Sequence, residues 1–210
     1  MFEENVDLSR LQRVVATVEL DRSFRMAGED VHALRGVTLD VFPGQFIAVI
    51  GRSGSGKTTL LNLLAGLDRP SAGSVLFEEQ DLADLNDRQL TELRRKKLGF
   101  VFQSFGLLPL LSAFENVELP LRISGVSSSE RSQRTEEALS IVGLERRSHH
   151  RPYELSGGEQ QRVAIARAIV HAPGLILADE PTGELDSVNA RAIFGLFKEM
   201  VGDQGISVVA

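Results

Sequence analysis

The sequence predicts an α/β fold: a β-rich opening, a mostly parallel core sheet with flanking helices, and a helical lobe inserted into that core. Three observations predict it. A short apolar strand, Phe46–Ile50, runs into a glycine-rich turn and then a helix. A second apolar run, Leu175–Ala178, has no polar alternation, as in a strand buried on both faces of a parallel sheet. Between Gln103 and Leu155 the pattern is helical, with no strong strand signal.

The elements follow in order. Val14–Leu20, Val37–Phe42 and Phe46–Ile50 are rich in β-formers, and Pro43-Gly44 forms a turn between the last two. From Lys57 the run Thr59, Leu60, Leu61, Leu63, Leu64 and Ala65 is compact and helical, and Gly66 can end it. Ser74–Phe77 and Leu98–Phe102 are further strands. The polar stretch Asp81–Lys97 lies between them, and its Leu82, Leu85, Leu90 and Leu93 suit one helix or two. Ser127, Ser128 and Ser129 offer an N-cap before a helix over Glu130–Val142. After Leu175–Ala178 come a helix from about Ser187 to Val201 and a last strand starting near Ile206.

With 210 residues the chain is expected to fold as one unit, residues 1–210. It is 42% hydrophobic and 25% charged with a formal net charge of −6, the balance of an ordinary soluble protein, so nucleic acid is not an expected partner. There is no cysteine, which removes disulfides, thiol nucleophiles and cysteine-based metal sites and fits a reducing cytoplasm. Met1–Arg10 carries Glu3, Glu4 and Asp7 where a secretory signal would need a basic start and an apolar stretch. No uncharged apolar run reaches membrane-spanning length, so any membrane crossing would fall to another protein.

Gly51-Arg52-Ser53-Gly54-Ser55-Gly56-Lys57-Thr58 matches the phosphate-binding pattern G-x-x-x-x-G-K-[ST], and it has the required strand before it and helix after it. The glycines let successive backbone N–H groups turn inward around phosphate, and the helix N-terminus adds positive potential. Lys57 reaches the β- and γ-phosphates, Thr58 supplies a hydroxyl to Mg²⁺, and Thr59 completes the nucleotide-binding stretch. The run Leu175–Ala178 ends in Asp179-Glu180, at what would be the carboxyl edge of a parallel sheet. Asp179 is the expected metal-side group and Glu180 the expected general base for a water aligned on the γ-phosphate.

Leu155-Ser156-Gly157-Gly158-Glu159-Gln160-Gln161-Arg162, followed by helical Val163–Ala168, carries the next signal. Ser156 can cap the helix, and Gly157 and Gly158 let bare backbone donors approach a second anion. Because Gly51–Thr58 already serves one set of phosphates, a second anion site facing elsewhere points to a dimer. The segment resembles the signature motif of the ATP-binding cassette (ABC) superfamily, and the resemblance runs from about Val14 to the chain end. It implies a P-loop NTPase core with an N-terminal antiparallel β subdomain and a helical lobe inserted at about residues 104–156.

The resemblance implies more about the site. Two copies would close head to tail, so that Leu155, Ser156, Gly157, Gly158 and Glu159 of one cover the ATP held by the other. Gln103 is similar to the Q-loop glutamine, which contacts Mg²⁺ and senses a transmembrane partner, and joins Lys57 and Glu180 in the catalytic set. Asp179 would meet the metal through water. Leu185-Asp186, after Pro181-Thr182-Gly183-Glu184, looks like the D-loop. Phe24 lies where the family stacks an aromatic on adenine, across Ala27-Gly28-Glu29. Leu60–Pro70 and Gly99–Phe105 are most similar to the macrolide-export, lipoprotein-release and cell-division branch.

The function implied is that of an ATPase subunit driving a separate transmembrane permease, cytoplasmic and peripheral on the inner face of the cell membrane. A switch histidine is expected just after the last strand, whereas His149, His150 and His171 lie elsewhere and the sequence given ends at Ala210. A shortened C-terminus or a catalytically weakened cassette would each explain this, and the resemblance then implies retained ATP binding with weaker hydrolysis. An ATP-gated scaffold of the cell-division type, or a soluble cassette acting on DNA or ribosomes, stays open as an alternative. The 98 positions from Lys57 to Leu155 hold no sustained heptads, which disfavours the DNA-repair type.

Smaller features have plainer readings. The apolar segment Phe105–Leu121, with Leu107, Leu108, Leu110, Leu111 and Phe114, would by resemblance receive the permease's coupling helix, or it packs the lobe. His149-His150 lacks a carboxylate at metal-binding spacing and is expected to point apart on a helix. Arg94-Arg95-Lys96-Lys97 reads as a solvated helix face.

Overall fold

A computed structural model describes residues 12–26 and 29–210; Met1–Arg10 and the Ala27-Gly28 pair lie outside them. One sheet is antiparallel and formed by β1 (Val15–Met26), β2 (Glu29–Val41), β4 (Ala72–Phe77) and β5 (Gln80–Asp81) in the order β2-β1-β4-β5. The other is parallel throughout, with β3 (Phe46–Ile47), β6 (Leu98–Val101), β7 (Leu175–Ala178) and β8 (Ser207–Val209) in the order β3-β8-β7-β6. Pairing at β3 extends past its two residues. Val208 N–H donates to Gln45 at 2.8 Å, Ala210 N–H to Ile47 at 2.9 Å and Val49 N–H to Ala210 at 2.6 Å. Ile50, 94% exposed, leaves the sheet and opens the glycine-rich loop.

Two strand readings change in the structure. β1 and β2 continue to Met26 and from Glu29, well past the expected limits at Leu20 and Val37. The polar residues Asp21, Arg22 and Ser23 hid this arm from a propensity reading, and it is anchored by side chains. Arg22 grips Asp68 in a fork of 2.8 and 2.9 Å, and the Ser23 N–H donates to Ser71 Oγ at 3.0 Å. β4, adjacent in sequence to the α1 region, joins the antiparallel sheet alongside β1. That approach requires glycine at Gly73 (φ 75°), where a Cβ would meet Glu19 O at 2.2 Å.

The helices are α1 (Lys57–Leu64), α2 (Asp87–Lys97), α3 (Ala113–Ile123), α4 (Ser128–Ile141), α5 (Gly157–Ile169) and α6 (Ser187–Gln204). Their starts are written in the sequence. Asn86 with Gln89, Ser112 with Glu115 and Ser156 with Glu159 each form a reciprocal capping box, and Ser127 and Asp186 cap α4 and α6. Among the described residues no helix is long and apolar enough to cross a membrane.

Two buried clusters flank the parallel sheet. One joins α1, through Leu60, Leu61, Leu63 and Leu64, to both sheets; the other joins α3, α4, α5 and α6 around Val117, Leu139, Ile165 and Phe197. β7 feeds both clusters, with Leu175 and Leu177 on the first side and Ile176 and Ala178 on the second. This explains its uninterrupted apolar run. Each such leucine or isoleucine contributes about 1.5–3 kcal/mol by leaving water.

α3 and α4 are tied by a buried carboxylate. Glu118 accepts from Arg122 at 2.6 Å and Arg131 at 2.9 Å. Burial alone would raise its pKa, but the hydrogen bond from Arg131 and the two guanidinium charges outweigh it and hold the pKa below the usual value. A depressed folded pKa stabilises above the unfolded value of about 4.3 and is lost as pH falls through the folded pKa. Glu118→Gln is therefore expected to cost about 2 kcal/mol at pH 7 and less below about pH 4, as read by urea denaturation at both pH values.

Candidate functional site

The loop from Gly51 to Gly56 joins the end of β3 to α1 and is held by its own backbone. Ser55 N–H donates to Arg52 O at 3.1 Å, and Gly54 and Gly56 take φ of 76° and 92°. Gly56 packs against β2 so closely that a Cβ would meet Ala33 O at 2.4 Å. It also caps α1 without a side chain, leaving the helix N-terminus and its positive potential facing the loop. Ser53, Gly54 and Ser55 are exposed, and Thr59 is half-buried one position after Thr58.

The structure brings this loop to the acidic strand end. Thr58 Oγ1 donates to Asp179 Oδ2 at 2.8 Å across 121 positions of sequence. Lys57 Nζ donates to Gly51 O at 2.9 Å and Arg52 O at 3.3 Å and lies 3.2 Å from Glu180 Oε1. Glu180 has φ of 45°, a left-handed backbone uncommon for a non-glycine residue and one that turns the chain sharply out of β7. A cavity of about 300 Å³ opens here, lined by Val49, Lys57, Asp179, Glu180, Gly183 and Ala210 among others. Gln103 follows neighbouring β6, and its amide lies beside Gly183, where a Cβ would be 3.1 Å from Nε2. Gln103, Asp179 and Glu180 thus gather at the carboxyl edge of adjacent parallel strands, where ligands of open α/β sheets bind.

These oxygens suit Mg²⁺. A hydroxyl, a carboxylate and an amide carbonyl are hard donors, and Mg²⁺ usually takes only one or two protein carboxylates when phosphates complete its shell. Among the described residues no group of three or more His, Cys, Asp or Glu side chains is placed to hold a metal ion by itself.

The remaining expected residues lie apart from this cluster. Phe24 pairs across the hairpin with Val31 and carries the Arg22 guanidinium 4.4 Å from its ring centroid. Ser156 caps α5. Its Oγ accepts the Glu159 N–H at 3.3 Å, and the Glu159 carboxylate accepts the Ser156 N–H at 2.8 Å, which holds that carboxylate's pKa below the usual range. Leu155 is buried. Among the described residues no hydrogen bond or ion pair joins Leu155–Glu159 to Gly51–Thr59. Asp186 caps α6 through Val188 and Asn189 N–H groups, both at 2.9 Å.

Three polar residues near the site were missed in the sequence. Asn116, fully buried, accepts the Leu108 N–H and donates to the carbonyls of Leu108, Leu111 and Ser112, shaping the loop after Gln103. Arg167 reaches from α5 to Phe105 O at 2.9 Å and Gly106 O, and burial lowers its pKa. Asn189 binds Asp186. The only signal for Arg167 was a charged residue within the otherwise apolar run Val163–Ile169.

Arg167 also lines a groove of about 400 Å³ with Arg94, Phe100, Phe102, Ile123 and His171. The apolar segment Phe105–Leu121 divides here. Ala113, Val117 and Leu121 pack the lobe, while Leu108 and Leu110 stay exposed, Leu110 by 81%. The basic run is internally paired: Arg94 donates to Gly66 O, Arg95 and Lys96 meet Glu92, and Lys97 meets Glu78. His149 and His150 sit in a turn rather than on a helix, with His150 beside Arg147. There the carbonyls of His150 and Ser148 accept the Ala113 and Phe114 N–H groups, both at 2.8 Å.

The ABC transporter family pattern matches residues 34–183, which include the glycine-rich loop, Gln103, the signature segment and the acidic pair. The chain belongs to the ABC transporter family. It is 43% identical over 95% of its length to a lipoprotein-releasing system ATP-binding protein, LolD, of Hyphomonas neptunium, covering 87% of that protein. It is 49% identical over 86% of its length to a macrolide export ATP-binding/permease protein, MacB, of Azoarcus, of which it spans only 28%. The solved dimer of the cassette MJ0796 in a post-hydrolysis state, bound to ADP and Pi, matches with a TM-score of 0.84 and 45% identity. That match covers 93% of this chain and 86% of the other. The subgroup expectation thus holds for two of its three named branches.

Within this ABC transporter chain, the two left-handed glycines of the loop should respond unequally to substitution. Gly54→Ala meets no atom within 4 Å and should cost about 1–2 kcal/mol for its backbone alone. Gly56→Ala adds a collision with Ala33 O and should cost about 3 kcal/mol or more. Thermal unfolding of the two variants side by side measures the difference.

Proposed function

We propose that this chain is the ATP-binding and hydrolysing subunit of an ABC transporter, one that pairs head to tail with a second copy around two MgATP and drives a separate membrane permease. The observation that carries the reading is the meeting of Lys57 and Thr58 with Asp179 and Glu180 at the mouth of the parallel sheet. In the free chain the Lys57 ammonium is held by two loop carbonyls and Glu180. ATP phosphates, more highly charged, compete for that lysine, and its departure releases Glu180 to serve as base. Water then attacks the γ-phosphorus, the bond to the β–γ bridging oxygen breaks, and Glu180 takes the water's proton. Thr58, Gln103 and Asp179 would hold Mg²⁺, which supplies charge neutralisation on the phosphates. Phe24 would stack on adenine.

Two features support the dimer. The signature turn has no bond to its own chain's loop, and the N–H groups of Gly157 and Gly158 engage no acceptor among the described residues, so they are free to bind a partner's phosphate. The matching MJ0796 structure is itself a dimer. Permease docking is supported by the groove that exposed Phe102 and Ile123 line, and by exposed Leu108 and Leu110 in the segment after Gln103. The subunit would then sit on the cytoplasmic face of the membrane through that contact.

The test is ATP turnover against protein concentration. Turnover should rise more steeply than linearly with concentration. Glu180→Gln should lower it about 100-fold or more and accumulate an ATP-bound dimer. Lys57→Ala should weaken nucleotide binding about 10–100-fold, because a charged hydrogen bond to phosphate is lost. Linear turnover, unchanged by Glu180→Gln, would overturn the assignment.

A further inference from the structure

The first turns of α5 and α6 meet at a single amide. A Cβ on Gly158 would lie 2.5 Å from Asn189 Oδ1 and 2.8 Å from its Cγ, so the backbone of the signature turn rests directly on that side chain. Gly157 differs. A Cβ there would make ordinary contact with Leu185 at 3.6 Å and Phe105 at 3.8 Å. Of the two signature glycines, only Gly158 is required by the chain's own packing.

Asn189 is itself fixed. Its Nδ2 donates to Asp186 Oδ2 at 2.7 Å, and Asp186 Oδ1 accepts the N–H groups of Val188 and Asn189 at 2.9 Å each. These bonds hold the Asp186 carboxyl pKa below the usual range, so it stays a charged acceptor at neutral pH. The amide therefore has one orientation, with its NH₂ on Asp186 and its oxygen against Gly158.

We propose that Asn189 is a positioning residue that locks the signature turn Ser156–Glu159 to the Asp186 turn, so that both face a partner cassette as one rigid unit. The proposal rests on the head-to-tail reading above. Asn189 touches no nucleotide; it acts by setting where the free N–H groups of Gly157 and Gly158 stand. A donor must sit within a few tenths of an ångström of its place to serve an anion, so a shift of that turn weakens the partner's ATP contact.

The experiment uses the full chain carrying Glu180→Gln, with ATP-driven association measured by sedimentation and nucleotide affinity measured separately at dilutions where the chain is monomeric. Adding Asn189→Ala should leave monomer nucleotide affinity unchanged and weaken association about tenfold. Adding Gly158→Ala should weaken association about 100-fold, because its methyl displaces the turn. Combining the two removes the collision and should return association to the Asn189→Ala level, a rescue not expected if Gly158 mattered only for contact with the partner's phosphate. Parental association in the Asn189→Ala variant, or no rescue in the combined variant, overturns the proposal. If Gly158→Ala does not fold, Asn189→Ala alone decides. Failure of the Glu180→Gln parent to associate with ATP overturns the head-to-tail reading and this proposal with it.

Discussion

The parallel pairing of β6, β7 and β8 is the constraint on which the rest of the molecule depends. Parallel strands all end on one edge, so Gln103 after β6 and Asp179-Glu180 after β7 emerge side by side with no side chain needed to bring them there. β3 pairs with β8 in the same sense and delivers the glycine-rich loop to that edge, where Thr58 closes on Asp179 at 2.8 Å. A chemistry made of residues more than a hundred positions apart follows from strand direction alone.

That edge is stiff because the central strands behind it, β7 and β8, are buried at every residue. β7 sends Leu175 and Leu177 into the cluster beneath α1 and Ile176 into the cluster shared by the lobe helices. The first cluster fixes α1 and with it Lys57 and Thr58. The second fixes α5, whose N-terminus carries the signature turn. One four-residue strand thus packs against the supports of both the α1 and the α5 N-terminus, and packed cores of this kind pass displacement on rather than absorb it.

Between these rigid parts the connecting loops are held by single polar side chains reaching from helices. Asn116 satisfies the backbone around Leu108–Ser112, Arg167 grips the turn at Phe105-Gly106, and Asn189 bridges Asp186 and Gly158. Asn116 and Arg167 sit where irregular backbone would otherwise leave carbonyls without a partner, a cost comparable to a lost hydrogen bond where water is excluded.

The sequence by itself determined the core class, the glycine-rich loop and its lysine, the acidic strand end, the helix starts at Ser127 and Ser156, and a helix from about Ser187. All of these are local: apolar periodicity, capping chemistry and glycine spacing act within a few residues and leave a readable pattern. Tertiary structure alone decided that β1 and β2 run on through polar residues, because Asp68 and Ser71 that hold them lie far away in sequence. It also decided that β4 pairs with β1, that Lys57 rests on Glu180, and that Gly158 lies against Asn189. Such contacts are made by distant partners chosen by packing, and a one-dimensional pattern carries no distance between them.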